Sequence, residues 1–328
     1  MVIRKFQLLK CKNIRESVDL SAAEFIAVGK RAFYRKKKPE EVILPPQVSA
    51  VKSQAFAKCS HLQTVELPQN TNVGLSTAAF CDCHRLKSVR NSDFITAIGD
   101  LTFQNCRMLS EISFGKGLRR IGAGAFQGCN ALKEIRIPSS VETMGKNAFS
   151  GCLDLETVRL EEGFSAISRG MFRDCIALKS VEIPATVVEI SAYAYQNCSA
   201  LTELNLPESV KTVGRGAFLG CSRLQRVSVA LGCSRIGAHA FDCNRDLEEV
   251  ILPHSVKSLG FGAFGLGKRR KKIRICVDNE YMLRKIRREL FFCGSALCAE
   301  VVMTGKTIEE RKRERRRSTV EQTPTHIS

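Results

Sequence analysis

The chain has 328 residues, is 44% hydrophobic and carries a formal net charge of +18. It contains no apolar run near the ~20 residues that a transmembrane helix needs. Its first 20 residues include five Lys and Arg, which disfavours a secretory signal. Composition therefore argues against a membrane-spanning or exported protein and favours an intracellular one, cytoplasmic or nuclear.

The first predicted element is an N-terminal cap over residues 1–32. Residues 1–40 hold 11 Lys and Arg but only four Asp and Glu, and a basic run begins at Arg35 and continues with Lys36, Lys37 and Lys38. A terminal repeat needs a polar outer side because no neighbour covers it, so capping is one interpretation of this run. Contact with an anionic partner is the other.

The middle of the chain is predicted to be one solenoid over residues 33–275. An aromatic residue recurs there every 23 positions, with a single interval of 24. Eleven of the 22 Phe and Tyr fall in this register, which chance cannot produce, so the repeat determines the fold. The positions are Phe33, Phe56, Phe80, Phe103, Phe126, Phe149, Phe172, Tyr195, Phe218, Phe241 and Phe264.

Each repeat reads as a strand, a turn, a second apolar segment and a corner. The apolar sites that follow the aromatic alternate as L-x-x-V-x-L, which is typical of a half-buried strand. Proline often ends this strand. Glycine often follows the second apolar segment, where we expect a bend with φ above zero. These glycines are Gly99, Gly122, Gly145, Gly214, Gly237 and Gly260.

A cysteine lies three residues after most of the aromatic residues. One repeat cannot bury its own apolar edge, so like residues are expected to stack on like residues in successive turns. At ~4.8 Å per turn the cysteines would have parallel Cβ vectors, which a disulfide does not accept. We therefore predict free, buried thiols of raised pKa rather than nucleophiles. They are Cys59, Cys83, Cys106, Cys129, Cys152, Cys175, Cys198 and Cys221.

The motif A-F-x-x-C-x-x-L-x-x-I-x-I-P-x-x-V-x-x-I-G, nearly complete from Ala125 to Gly145, resembles the BspA-type leucine-rich repeat. The resemblance implies a β-rich, right-handed superhelical solenoid of the α/β horseshoe class, with about 10 to 11 repeats. It also implies adhesion or other protein–protein contact and a surface-antigen-like role, with the cell surface as the alternative location. The family shares no catalytic residues that could be transferred to this chain.

Four departures from the motif predict local irregularity near residues 91–95 and 230–244. They are Asn91 and Cys233 at strand-core sites, Glu161 with Glu162 in place of the proline, and Asn244 in place of the ladder cysteine.

The side chains between the core positions of the strand are predicted to form a binding face. These rows contain both charge signs and almost no aromatic residues. A protein partner met through complementary charges therefore fits better than single-stranded nucleic acid. The alternative is that the rows are merely solvated. The partner-binding candidates are Glu66, Arg90, Glu111, Glu134, Arg136, Arg159, Glu182, Glu203 and Arg226.

After the repeats we expect an α-helical C-terminal cap over residues 276–304 and a disordered basic tail over residues 305–328. Residues 267–328 hold 17 Lys and Arg against eight Asp and Glu, whereas residues 41–266 are nearly balanced. The apolar positions with the spacing of an amphipathic helix are Met282, Leu283, Ile286, Leu290 and Phe291. The basic candidates are Lys268, Arg269, Arg270, Arg313, Arg315, Arg316 and Arg317, with Ser318 as a candidate phosphorylation site.

Catalytic and metal chemistry find little support in the sequence. Cys81, Cys83 and His84 are close together, but Cys83 belongs to the ladder. No second Cys/His pair has the spacing of a structural zinc site. Phosphate-binding loops and nucleophile motifs are missing. We therefore predict a non-enzymatic protein without a cofactor or a small-molecule substrate.

Two functions stay open at this point. The first is a protein-interaction scaffold or adhesin-like protein that binds through the strand-lined face, with a partner whose identity the sequence does not give. The second is a binder of nucleic acid or of an anionic membrane through the basic ends, with the solenoid as a spacer. Only the second predicts binding that collapses with moderate salt and with deletion of residues 305–328.

Overall fold

The protein is a parallel β-solenoid of about eleven turns. The computed structural model describes residues 2–3, 17–21, 26–265, 273–292 and 299–303. Each regular turn contributes one strand to each of two sheet faces, which confirms the predicted repeat fold. The described residues contain one α-helix, near the C-terminus.

Face A consists of the strands that the L-x-x-V-x-L pattern predicts. Equivalent positions of adjacent repeats pair, as Glu134 does with Thr157 and Arg136 with Arg159. The strands run in three blocks: β2 to β8, β11 with β13, and β16 to β23. They are β2 (Ser17–Asp19), β4 (Glu41–Ile43), β6 (Thr64–Glu66), β8 (Ser88–Arg90), β11 (Glu134–Ile137), β13 (Thr157–Leu160), β16 (Glu203–Asn205), β18 (Arg226–Ser228), β20 (Glu249–Leu252), β22 (Ile273–Val277) and β23 (Ala299–Met303).

Face B is built from the second apolar segment of each repeat, and most of its strands have only two residues. Its strands run in two blocks, β1 to β12 and β14 to β21. They are β1 (Val2–Ile3), β3 (Ala27–Val28), β5 (Ala50–Val51), β7 (Val73–Leu75), β9 (Ile95–Ile98), β10 (Arg120–Ile121), β12 (Thr143–Met144), β14 (Ala166–Ile167), β15 (Glu189–Ile190), β17 (Thr212–Val213), β19 (Arg235–Ile236) and β21 (Ser258–Leu259).

The aromatic residues form one continuous stack inside the solenoid. From Phe33 to Phe264, successive rings have centroids 4.7 to 5.8 Å apart. Tyr195 is the only tyrosine of the stack. Its buried hydroxyl has no hydrogen-bond partner, and burial raises its pKa. The in-register stacking that the sequence predicts is therefore present.

The ladder cysteines are free thiols that each have a hydrogen-bond acceptor. Each Sγ donates to the main-chain oxygen of the aromatic residue one repeat earlier, as Cys106 does to Phe80 at 3.2 Å. Burial raises the pKa of Cys152 and of Cys221 to about 12. The cysteines thus tie neighbouring turns together as neutral donors, and they are poor nucleophiles at neutral pH.

The glycines that follow the face B strands lack the positive φ that the sequence suggested. A Cβ on Gly122 would lie 2.5 Å from the main-chain nitrogen of Asp100 in the preceding turn. Glycine is therefore required at these positions because the main chains of adjacent turns approach too closely for a side chain. From Phe33 to Phe241, positive φ falls instead two residues before and two residues after each aromatic, as at Leu101 (57°) and Asn105 (59°). The correction applies to Gly99, Gly122, Gly145, Gly214, Gly237 and Gly260.

Of the two predicted irregular regions, only the first disturbs a sheet. Asn91 has φ of 59° and precedes a 3-10 helix, Ser92–Phe94. In the second region, β17, β19 and β21 pair in unbroken register. The departure there is Asn244, which is buried and has no hydrogen-bond partner for either side-chain polar atom. The sequence did not predict the interruptions of face A at residues 111–113 and 180–183.

Glu161 and Glu162 replace the proline turn by bonding to both neighbouring turns. The Glu161 carboxylate accepts from the main-chain nitrogen of Ser139 at 3.0 Å, in the preceding turn. The Glu162 carboxylate accepts from the nitrogens of Ala185 and Thr186 at 3.2 Å each, in the following turn. The two carboxylates therefore supply local hydrogen bonds where other repeats rely on the fixed φ of proline.

The helix α1 (Glu280–Phe292) packs against the end of the core, where Met282 and Ile286 are buried. Strand β23 follows it and pairs with β22, so the sheet continues beyond residue 275. At the other end, β1 and β2 pair with β3 and β4, so strands also begin before residue 33. The boundaries of the two caps remain predictions, and the tail over 305–328 lies outside the described residues. No described helix has the length and hydrophobicity needed to cross a membrane.

Candidate binding faces of the solenoid

The nine side chains predicted to bind a partner all lie on the face A side of the solenoid. Seven of them form ion pairs with side chains of other turns. Such exposed pairs contribute less than ~1 kcal/mol each, so a partner's charges can replace them with little loss of stability. The pairs are Arg90 with Glu41 (3.1 Å) and Glu66 (3.5 Å), Arg136 with Glu161 (2.7 Å), Arg159 with Glu134 (3.7 Å) and Arg226 with Glu203 (3.5 Å).

The other two, Glu111 and Glu182, lie in the two turns where face A has no strand. Both are exposed, and neither forms an ion pair with any of the described residues. They are therefore the face A carboxylates of the predicted set that keep their charge available for a partner.

Face A carries an open notch of about 320 Å³ at its first interruption, lined by residues 88–92 and 111–113. The chain leaves the strand ladder here because Asn91 adopts a left-handed conformation. The Ser92 hydroxyl then accepts a hydrogen bond from the main-chain nitrogen of Ser113 at 3.1 Å. Two of the predicted binding residues, Arg90 and Glu111, line this notch. The notch is a feature that apolar periodicity could not reveal.

The predicted basic segments are only partly within the described chain. Lys36 is half-buried, and Lys37 and Lys38 are exposed, at the corner that follows the first aromatic of the stack. Nothing in their surroundings distinguishes capping from anionic contact. The other candidates lie outside the described residues: Lys268, Arg269, Arg270, Arg313, Arg315, Arg316, Arg317 and Ser318.

The cysteines and histidine near residue 83 point in different directions. Cys83 is buried and donates to the main-chain oxygen of Phe56 at 3.0 Å. The His84 ring contacts the main-chain oxygen of Asn105 at 3.0 Å. Burial is the main cause that raises the pKa of Cys81, to about 11. Among the described residues, no three His, Cys, Asp or Glu side chains are grouped as a metal site would require.

The two faces differ in charge. The nearly balanced total charge of residues 41–266 conceals this difference. From β3 to β21, the face B strands and the two residues on either side of them hold ten basic and four acidic residues. From β4 to β20, the same count on face A, including the two interrupted turns, gives seven basic and twelve acidic residues. The face B cations are Lys30, Lys52, Arg119, Arg120, Lys146, Arg169, Lys211, Arg215, Arg235 and Lys257.

The signal for this difference was present in the sequence. The cations occupy recurring repeat positions beside the second apolar segment. The binding rows are predicted only on the L-x-x-V-x-L strand because its alternation marks outward positions, whereas the second apolar segment by itself indicates only core.

Among solved structures, the Treponema pallidum leucine-rich repeat protein TpLRR is 30% identical over 55% of this chain and 80% of its own, with a TM-score of 0.46. A Bacteroides ovatus leucine-rich repeat protein is 21% identical over 85% of this chain and 88% of its own, with a TM-score of 0.47. The pneumococcal vaccine antigen PcpA is 18% identical over 88% and 85%, with a TM-score of 0.49. No curated protein matches the chain.

The family model for the BspA-type leucine-rich repeat region matches in six copies, over residues 26–156 and 142–269. These matches span most of the chain and coincide with the described turns of the solenoid. On this basis the chain belongs to the BspA-type leucine-rich repeat family.

Proposed function

We propose that the protein is a non-enzymatic interaction scaffold that binds another protein through face A. Repeats of this family commonly serve protein interaction or surface-antigen-like roles, and the family is generally non-enzymatic. The observation that carries the proposal is the notch beside Arg90 and Glu111. Its volume of about 320 Å³ is enough to accept a side chain of a partner.

The charges around the notch suggest the chemistry of the partner. Glu111 forms no ion pair with any described Lys, Arg or His, so a Lys or Arg of the partner would form one with its carboxylate. Arg90 already contacts Glu41 and Glu66 and offers a second, polar contact at the rim. The remaining ion pairs of face A present both signs, which favours a folded protein surface of complementary charge over a uniform polyanion.

The test is cross-linking followed by an affinity measurement. A photo-reactive phenylalanine analogue at Ser113, inside the notch, should capture a protein that the same analogue at Asp154, on the corner, does not. Glu111→Lys should then weaken binding of that protein about tenfold or more, because it places like charges together at the rim. The matched control Asp154→Lys should leave the affinity unchanged. Equal effects of the two substitutions would contradict the proposal.

The same measurement separates this function from binding through the basic ends. If capture survives Glu111→Lys but is lost on deletion of residues 305–328, the basic-end alternative is favoured. A steep loss of binding between low and moderate salt would point the same way.

We also place the protein inside the cell, where thiols stay reduced. The support is the set of twelve free cysteines among the described residues. The cell surface, which the family resemblance implies, is the alternative. Labelling of intact cells with an impermeant reagent distinguishes the two locations, since a surface protein would be labelled without lysis.

A further inference from the structure

We propose that face B docks the solenoid onto an anionic lipid bilayer. The proposal concerns a surface different from the notched face A and does not depend on the protein partner. It rests on a basic stripe along face B and on exposed apolar side chains at the end of that stripe.

The basic stripe is defined by Lys146, Arg169, Lys211, Arg215, Arg235 and Lys257. All six are exposed and lie on face B strands or within two residues of them. Since turns are ~4.8 Å apart, the stripe is about 24 Å long. Along the solenoid axis, cations of adjacent turns are ~4.8 Å apart, and those on either side of the turn of Glu189 are about 10 Å apart. These axial separations are comparable with the ~8 Å Debye length at physiological salt, so the potentials of the cations add.

The stripe is poorly neutralised by the protein itself. Two face B acids nearer the N-terminus are paired with cations outside the stripe: Asp100 with Arg120 at 3.3 Å and Glu142 with Arg119 at 4.0 Å. Glu189 is the acid within the stripe, and it accepts a hydrogen bond from the Ser191 hydroxyl at 2.9 Å. None of the six cations forms an ion pair with a described residue. Each adds to a field that attracts an anionic surface.

Exposed apolar side chains lie at the C-terminal end of the stripe. Phe261 is 62% exposed and occupies the same repeat position as Lys146, Arg169 and Arg215. Tyr281 of α1 is also 62% exposed, and its ring lies 5.8 Å from the amino nitrogen of Lys285. That lysine bonds to the main-chain oxygen of Lys257, which places the ring near the last cation of the stripe.

This combination favours a bilayer over nucleic acid. Aromatic residues beside Lys and Arg are typical of side chains that insert into the headgroup region while cations contact anionic lipids. Single-stranded nucleic acid would instead require aromatic platforms at successive steps along the stripe. The one aromatic ring midway along it, Tyr193, is already covered by the Arg169 guanidinium at 5.6 Å.

The test uses the full chain and vesicles of phosphatidylcholine with about one-third phosphatidylserine, and measures the partition coefficient by co-sedimentation. Each cation at an anionic surface strengthens binding about fivefold, so Lys211→Gln with Arg215→Gln and Arg235→Gln should lower the coefficient about a hundredfold. The matched control neutralises Lys87, Lys133 and Arg223, all exposed and away from face B. It should lower the coefficient far less.

A second pair of variants tests the apolar contribution without changing charge. Phe261→Ser should weaken partitioning, whereas Met108→Ser, another exposed apolar residue, should not. Circular dichroism confirms that each variant is folded. Equal losses in the two triple variants would overturn the proposal, as would no binding to the anionic vesicles. Binding to oligonucleotides but not to vesicles, lost in the face B triple variant, would assign the stripe to nucleic acid.

Discussion

In the corners from Phe33 to Phe241, two main-chain positions adopt left-handed conformations, and many are occupied by residues other than glycine. A residue with a Cβ pays about 1 kcal/mol or more there. Ala78 has φ of 56° and is buried, whereas its neighbour Ala79 has an ordinary φ and is equally buried. The pair isolates backbone strain from packing because both side chains are a single methyl group.

We expect Ala78→Gly to raise the free energy of unfolding by up to about 1 kcal/mol, because the relief of about 1 to 2 kcal/mol of strain exceeds the roughly 0.5 to 1 kcal/mol that glycine's added freedom in the unfolded chain costs. Ala79→Gly should lower it by about 1 kcal/mol or more, since it adds freedom to the unfolded chain and removes a buried methyl group. Urea denaturation of the two variants measures both values. A loss of stability in both would show that the corner is not strained.

Tyr195 is the position where the aromatic stack contains a polar atom. Its hydroxyl is buried without a partner, which costs about 1 to 3 kcal/mol. Tyr195→Phe should therefore raise the free energy of unfolding by about 1 to 2 kcal/mol in denaturant titrations. Tyr193→Phe, at a partly exposed ring, should change it by less than about 0.5 kcal/mol. Destabilisation by Tyr195→Phe would mean that the hydroxyl has a partner in solution.

The cysteine ladder should make the stability of the solenoid depend on pH above neutrality. Burial raises the pKa of Cys152 to about 12, well above the ~8.5 of an unfolded thiol. A raised folded pKa means that stability is complete below pH ~8.5 and falls as pH rises towards the folded pKa. Each such thiol contributes a slope of about 1.4 kcal/mol per pH unit in this window.

Urea denaturation between pH 7 and 10, with a reducing agent present, measures that slope. Cys152→Ala should make it shallower by about 1.4 kcal/mol per pH unit at the alkaline end, whatever its effect at pH 7. Ser150→Ala, at another buried position, removes no titrating group and should leave the slope unchanged. A Cys152→Ala slope identical to that of the unaltered chain would show that the ladder thiols ionise equally in both states.

At the scale of the structural elements, the face A strands, the aromatic stack and the cysteine ladder could be predicted from the sequence. Each follows from one class of residue that recurs at a fixed interval. The interruption of face A could be predicted only in part. Asn91 marks the irregular region near residues 91–95, but the 3-10 helix after it and the loss of the strand at residues 111–113 do not follow from a missing apolar residue. The charge of face B was readable in principle. The nearly balanced total over residues 41–266 hides it, because opposite signs lie on opposite faces.

At the scale of the whole solenoid, the described turns form a one-dimensional array in which main-chain pairing joins each turn to its immediate neighbours. Faces A and B run along the same axis but differ in charge. The two proposals therefore predict that the solenoid binds a protein through face A while face B contacts a lipid bilayer. Such an array is weakest where the core ends. The cap is therefore the element on which the C-terminal turns depend.

Met282 and Ile286 of α1 close the core beside β22. Replacing both with serine should increase hydrogen exchange in β20 and β22 while β4 and β6 stay protected, because each turn is stabilised by the next one. The matched variant, Tyr281→Ser with Arg287→Ser, changes exposed positions of the same helix and should leave exchange unchanged. Uniform loss of protection along the chain would instead mean that the solenoid unfolds as a single cooperative unit and that α1 has no special role as a cap.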